Sequence, residues 1–304
     1  ACVNECPVGA LEDKQLREAG NPDKWVRTTC GFCGVGCQFD AGIKGNRLVT
    51  MKPAADSPVN NGHSCVKGRF ASAYVNHKER LDTPMIRETK DGEFREVSWD
   101  EAYDFITERW KKILEEDGPD AIGTITSSRS TNELNYLGSK LMRAVVGTNN
   151  VDNCARVCHS ATVKGMMKVF GAGAGTNSLG DIDVTDLLLA SGCNPIHGHP
   201  VTGSRIMRSK KRGMKLIVAD PISTEFAQLA DIHLKLRPGT NVALFQGLSH
   251  IILRDGLEAS AEWIETRTEN LDPFKRMIAE MTPERCSELT TIPIETLEAA
   301  AHLY

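Results

Sequence analysis

Four cysteines stand in TTCGFCGVGC and the later SCVKG: Cys30, Cys33, Cys37 and Cys65. Thiolates are soft metal ligands, and the glycines between the first three let the backbone curl so that they face one centre while a distant loop supplies the fourth. Structural zinc sites commonly pair two two-thiol knuckles, so the three-plus-one spacing favours a 4Fe-4S cluster over zinc. Lys67, two residues past Cys65, reads either as a surface lysine or as a cation between an anionic cluster and an anionic cofactor.

A second chemical stretch is NNVDNCARVCHSATV, where Cys154 and Cys158 lie four apart and His159 follows at once. The residues after it are helix-patterned, so Cys158 is expected at a helix start, where the dipole stabilises a thiolate and makes it the better ligand or nucleophile. Cys154 is expected to be a packed small residue. His159 is open to two readings, a satisfied structural histidine or a proton acceptor beside a metal-bound thiolate.

The chain begins ACVNECPVGAL, without Met and without a secretory signal. Cys2 and Cys6-Pro7 match the last two thiolates of a CxxCxxCxxxCP ferredoxin run. The far end, IETLEAAAHLY, stops inside a helical pattern. The expectation is an internal piece of a longer polypeptide.

A net charge of -4 over 304 residues gives no general pull toward nucleic acid or anionic membrane. The basic run Arg208, Lys210, Lys211, Arg212 reads as a solvated helix face, and no apolar stretch reaches the 18 residues a membrane span needs. The ten cysteines are grouped for metal binding rather than for disulfides, which points to a reducing compartment, by default the cytoplasm.

Positioning these residues falls to an α/β scaffold. Residues 1–29 read as the end of a ferredoxin-like domain and a polar linker, AGNPDKW, and 30–90 as a small 4Fe-4S-binding domain with a hairpin between QFDAGIK and RLVTMKP at Gly45-Asn46. Ser98 and Glu101 open a helix that Gly118 stops, with Ala102, Phe105, Ile106, Ile113 and Leu114 as its stripe. Over 91–304 strands and helices alternate: AIGTITS, a helix over 131–146, DLLLASG, a helix after His199, MKLIVAD, a helix over 223–230, DIHLKL, and a helix from Asn241. That order predicts Rossmann-like parallel sheets whose ligands sit beyond the carboxyl ends of the strands, at GCNP (192–195), ADP (219–221) and RPGTN (237–241).

Taken together, CGFCGVGC, SCVKGRF, SSRSTNELNY, GTNNVDNCARVCH, GCNPIHGHP, VADP and RPGTNVALF resemble the molybdopterin oxidoreductase family, and within it the catalytic subunits of formate dehydrogenases. The resemblance implies a bis-(molybdopterin guanine dinucleotide) carrying molybdenum or tungsten beside a 4Fe-4S cluster. It makes Cys158 the counterpart of the metal-ligating cysteine or selenocysteine, and His159 the histidine that follows it in formate dehydrogenases. It gives Cys30, Cys33, Cys37 and Cys65 the proximal cluster and sets Lys67 between cluster and pterin. Arg129, Gly192, Asn194, Pro195, Asp220, Gly239, Thr240 and Asn241 match stretches that contact the guanine dinucleotides.

Two departures from the pattern stand out: Ile222 occupies the place of an arginine in DPR, and Asn241 that of an aspartate. The implied reaction is two-electron oxidation of formate to CO2, or its reverse, with electrons leaving through the cluster and the Cys2 and Cys6 region. The implied partners are iron-sulfur and flavin subunits linked to NAD, or a hydrogenase module. The family's formate-holding arginine falls after Tyr304. A nitrate reductase, which typically has Met after the ligating cysteine, and an electron-conduit subunit like the large iron-sulfur subunit of respiratory complex I are the rival readings.

Overall fold

The computed structural model describes Val3 and residues 6–304, which pack as two compact units. One comprises the chain up to Ser72 together with Asn177–Tyr304, and the other is Ala73–Thr176. Cys2 lies outside the described residues.

Helix α1 (Lys14–Ala19) is capped by Asp13, whose Oδ1 accepts from the Gln15 N–H at 3.1 Å. The other oxygen of this buried carboxylate accepts from Thr50 Oγ1 at 2.7 Å, which ties the helix to the sheet behind it. That sheet is antiparallel, β1 (Lys24–Thr29), β2 (Gln38–Lys44) and β3 (Arg47–Pro53) in order. The last two strands flank the expected turn, with φ of 56° at Gly45. Part of the stretch read as linker is therefore strand. Pro22 abuts Gly42, where any Cβ would stand 2.6 Å from the proline ring. Phe39, Ala41 and Met51 form the inner face, joined by Val35 and Cys37. Helix α2 (Val66–Phe70) follows, with Cys65 at its N-cap.

In the second unit a short hairpin, β4 (Met85–Ile86) and β5 (Arg95–Glu96), leads into α3 (Trp99–Glu116). Ser98 Oγ accepts from the Glu101 N–H at 3.2 Å, the capping bond its position predicts. Ala102 is buried and Ile113 and Leu114 pack on the local core, whereas Ile106, counted in the apolar stripe, is 45% exposed. Strand β6 (Thr124–Thr126) pairs in parallel with β7 (Val151–Asn153). Between them α4 (Asn132–Lys140) runs into a π-helical turn, Leu141–Val146, that ends at Gly147. Strand β7 has no signature in sequence because three residues, VDN, are too few and too polar to show a period. Beyond it lie a short helical turn, α5 (Ala155–Cys158), and α6 (Ser160–Phe170).

The chain then returns to the first unit. Strands β8 (Leu187–Ser191), β9 (Lys215–Ala219) and β10 (Ile232–Leu234) form a parallel sheet in sequence order. Their connections carry α7 (Pro195–Gly198), α8 (Pro200–Lys211) and α9 (Glu225–Gln228). Five helices complete the unit: α10 (Asn241–Arg254), α11 (Ala261–Arg267), α12 (Leu271–Ala279), α13 (Pro283–Thr290) and α14 (Ile294–Leu303). After Lys215 the central strand is apolar, Leu216 to Ala219, because both its faces are covered. Leu216 and Val218 pack with Ile206 and Phe226, while Ile217 and Ala219 pack with Leu244, Ile251 and Leu297.

In the basic run at the end of α8, Lys210 pairs with Asp231 at 2.7 Å and Arg212 with Asp183 at 3.6 Å, so those charges serve the fold. Among the described residues no helix is long and apolar enough to cross a membrane.

Candidate functional site

The structure brings Cys30, Cys33, Cys37 and Cys65 together. The Cys30 N–H donates to the Cys37 carbonyl at 2.8 Å, closing the curl, and Gly36 inside it takes a φ of 69°, which glycine adopts without strain. All four side chains line one small pocket, with Phe32, Val35 and Phe39 as apolar neighbours and Pro200 and Val201 at its wall. Burial, and after it the other three thiols, push the Cys37 thiol up to about 11. Burial likewise raises Cys30, with Cys33 and Cys65 adding to the shift. Mutual coupling of this kind is what four facing thiols produce.

Among the described residues no three His, Cys, Asp or Glu side chains converge closely enough for a single metal ion. Zinc would draw its thiolates to roughly 4 Å from one another at Zn–S bonds of about 2.3 Å, whereas a cubane takes one at each of four spread corners. The ring of thiols around a pocket fits the larger group. Below it Gly68 is packed so tightly that a Cβ would stand 2.8 Å from the Phe39 ring and 3.4 Å from Cys30 Sγ. Lys67 lies exposed on α2, next to that glycine.

At the carboxyl edge of the parallel sheet, Ser191, Ala219 and Leu234 lie in register, so the turns after them gather in one row. The Gly192 N–H donates to Ala219 at 2.9 Å, and the Asp220 N–H to Leu234 at 3.2 Å. Asp220 Oδ1 accepts from the Ile222 N–H at 2.8 Å, which closes the ADP turn. Gly192 and Gly239 both have positive φ, 60° and 87°. Thr240 caps α10, which begins at Asn241, and its hydroxyl donates to Arg237 at 2.6 Å.

The decisive observation in this row is Asn194. Its Oδ1 is buried and has no hydrogen-bond partner, and a buried acceptor left alone costs about 1–3 kcal/mol unless a ligand donor meets it. Pro195 beside it is buried, and Gly203 of α8 presses on its carbonyl: a Cβ there would stand 2.8 Å away. These features fit a turn built to receive a polar cofactor.

A cavity of about 740 Å³ adjoins the row between Pro221, Ile222, His233, Lys235 and the segment Thr291–Pro293. Sequence reading found the first side of it and missed the second. Thr291 has a φ of 66°, unusual for a β-branched residue, but nothing in its sequence neighbourhood announces that conformation. Where relatives are expected to carry arginine, Ile222 is 66% exposed, and Lys235 is a cation lining the same cavity.

In the second unit the ends of β6 and β7 carry Ser127, Ser128 and Arg129 on one side and Cys154, Cys158 and His159 on the other. Here the local expectation needs correction. Cys158 closes the four-residue turn α5, and His159 is the N-cap of α6, so Cys158 lies just outside that helix rather than at its first position. Cys154 is exposed, not packed, because Asn153 and Ser128 hold it at the surface. Hydrogen bonds from Ser128, side chain first and backbone next, pull its thiol below the ordinary value. Cys158 and His159 are both exposed.

Comparison with known proteins places this geometry. The molybdopterin oxidoreductase 4Fe-4S domain matches residues 23–77 and the molybdopterin oxidoreductase domain residues 80–283. The chain belongs to the molybdopterin oxidoreductase family. It is 41% identical over 281 residues to the F420-dependent formate dehydrogenase 2 subunit alpha of Methanococcus maripaludis, covering 92% of this chain and 40% of that one. It is 38% identical over 286 residues to formate dehydrogenase H of Escherichia coli, covering 92% and 40%. The fold matches acetylene hydratase from Pelobacter acetylenicus with a TM-score of 0.79 and 25% identity, over 91% of this chain and 38% of that one. The chain thus spans about 40% of the length of these relatives.

Proposed function

We propose that this chain is part of the catalytic subunit of a formate dehydrogenase, which oxidises formate to CO2 with release of one proton and two electrons, or runs the reverse. The reading is carried by the adjacent pair Cys158 and His159, between α5 and α6 after β7, in a chain about 40% identical to formate dehydrogenase alpha subunits. The same fold occurs in a hydratase, so the reaction is read from these residues and not from the fold.

In this reading Cys158 would ligate molybdenum or tungsten, and Arg129, Gly192, Asn194, Pro195, Asp220, Gly239, Thr240 and Asn241 each match family stretches that would hold the dinucleotide arms. When bound, the metal-pterin group supplies a two-electron acceptor, and a cluster on Cys30, Cys33, Cys37 and Cys65 supplies a one-electron carrier. The buried Asn194 Oδ1, which has no partner within the protein, would offer an acceptor to a donor of the bound cofactor. His159, next to that ligand in sequence, would orient formate or take up a proton that it gives up. Lys67 offers a positive charge next to the thiol site, which offsets the negative charge of a thiolate-bound cluster. Cys2 and Cys6 would serve a second cluster, from which electrons pass to an NAD-linked flavin subunit or a hydrogenase. Relatives named as F420-dependent support F420 as a third candidate acceptor.

A nitrate reductase is disfavoured by His159, and a pure electron conduit has no use for Cys158, His159 or the Asn194 turn. The test is formate-dependent reduction of a viologen dye by the complete protein, purified anaerobically, beside a Cys158→Ala variant. Activity should vanish in the variant. A wild-type sample containing molybdenum or tungsten that leaves the dye oxidised would overturn the formate reading, and iron without either metal would favour the conduit.

A further inference from the structure

The segment Asn194–Gly203 touches both candidate cofactor sites of the first unit. At one end it carries Asn194 and Pro195 of the strand-end turn, and six residues later Pro200 and Val201 line the four-thiol pocket. Between them stands His199. This exposed side chain has its Nε2 3.5 Å from where a Cβ of Gly34 would be, so the ring stands beside the CGFCGVGC curl, one residue past Cys33. Val201 packs with Cys30 and Cys33 on the core built from Cys37 and Phe39. Gly203 meets the Pro195 carbonyl with no room for a Cβ, so the two ends of the segment are braced against each other.

We propose that His199 is a positioning residue for the four-thiol site: it seats the start of α8 on the cysteine curl and so holds Pro200 and Val201 as the wall that keeps water from the cluster. The proposal rests on the iron-sulfur reading of Cys30, Cys33, Cys37 and Cys65. A reduced cluster carries one more negative charge than the oxidised one, and water stabilises that charge. Solvent exposure is one of the terms that set cluster potentials, so a loosened wall raises the potential.

The experiment compares wild type, His199→Ala, His199→Gln, Val201→Ala and His197→Ala in the complete protein, purified anaerobically. The readouts are iron and sulfide content, the midpoint potential of the cluster by EPR-monitored titration, and the rate of bleaching by an iron chelator. His199→Ala should raise the reduced-to-oxidised ratio at a fixed ambient potential about tenfold, 59 mV for a one-electron couple, and should bleach several-fold faster. His199→Gln, which keeps a planar polar group at similar reach, should return most of the way to wild type. Val201→Ala opens the wall without touching the histidine and should shift the potential in the same direction. His197 faces Glu225 at 3.4 Å instead, and its alanine variant should match wild type.

A His199→Ala protein with full iron content whose potential and bleaching match those of His197→Ala would overturn the inference. So would a Val201→Ala protein with unchanged potential, should the histidine variant fail to fold. A wild-type protein that takes up zinc at these thiols and no iron-sulfur cluster would overturn the cluster reading itself, and this inference with it.

Discussion

The Ser128 N–H donates to the Cys154 sulfur at 3.2 Å, joining the loop after β6 to the turn that carries Cys158. Two strand ends that are 26 residues apart in sequence are thereby held as one surface, and the proposed metal ligand sits on it. Cys154→Ala leaves that N–H without its acceptor and should lower stability by about 1 kcal/mol, the net contribution of one such bond. Formate oxidation should fall several-fold while metal content is retained, and Cys154→Ser should recover part of both losses. Thermal unfolding and dye reduction on the three proteins check this.

The thiols should also differ in reactivity. Protein freed of cofactors and treated with iodoacetamide at pH 7 should be alkylated first at Cys154, which is exposed and shifted toward the thiolate. Cys37, buried and raised to about 11, carries about 100-fold less thiolate than an ordinary thiol and should react far more slowly than Cys154, as should the fully buried Cys286. Mapping the labelled peptides over time gives the order, and early labelling of Cys37 would contradict the four-thiol geometry.

Gly203→Ala should act on the cofactor turn through the backbone alone. Its Cβ would stand 2.8 Å from the Pro195 carbonyl and 2.9 Å from the Ile196 nitrogen, and neither is a flexible side-chain end that can yield. The expected cost is about 1–3 kcal/mol of stability, as for other overpacking changes. Bound pterin, measured by fluorescence after oxidative release, should fall while iron at the thiols is largely retained.

The last helix is held by charge as well as by apolar packing. Asp255 accepts from Arg254 at 2.6 Å and pairs with His302 of α14 at 3.0 Å, while Arg254 reaches Glu298 at 3.2 Å. The Arg254 hydrogen bond, with a further one from His302, lowers the Asp255 carboxyl to about 2. A folded value below the unfolded one, about 3.9, means stability that is present above pH 4 and lost as pH falls from about 4 to about 2. Asp255→Asn should remove that part of the acid dependence of unfolding, read from midpoints at a series of pH values: its midpoint should lie slightly below wild type at pH 7, the pair being exposed and screened, and converge with it near pH 2.

Much of this protein is written locally. Cys30, Cys33, Cys37 and Cys65 announce a soft metal site through ligand type and spacing, because a curl of eight residues brings the first three together whatever surrounds it. The Gly45 turn, the Ser98 cap and the apolar run of β9 are equally local, since each depends on contacts within a few residues or on burial of both strand faces. The order of the motifs identifies the family, and with it an oxidoreductase fold. Other features exist only once distant segments meet. Strand β7 is a strand because β6 lies beside it, and Cys154 is polarised because Ser128 reaches it. The second side of the sheet-edge cavity comes from Thr291–Pro293, and His199 stands beside the cysteine curl from 165 positions away. No periodicity or spacing encodes those contacts, because their partners are chosen by how the sheets and helices pack.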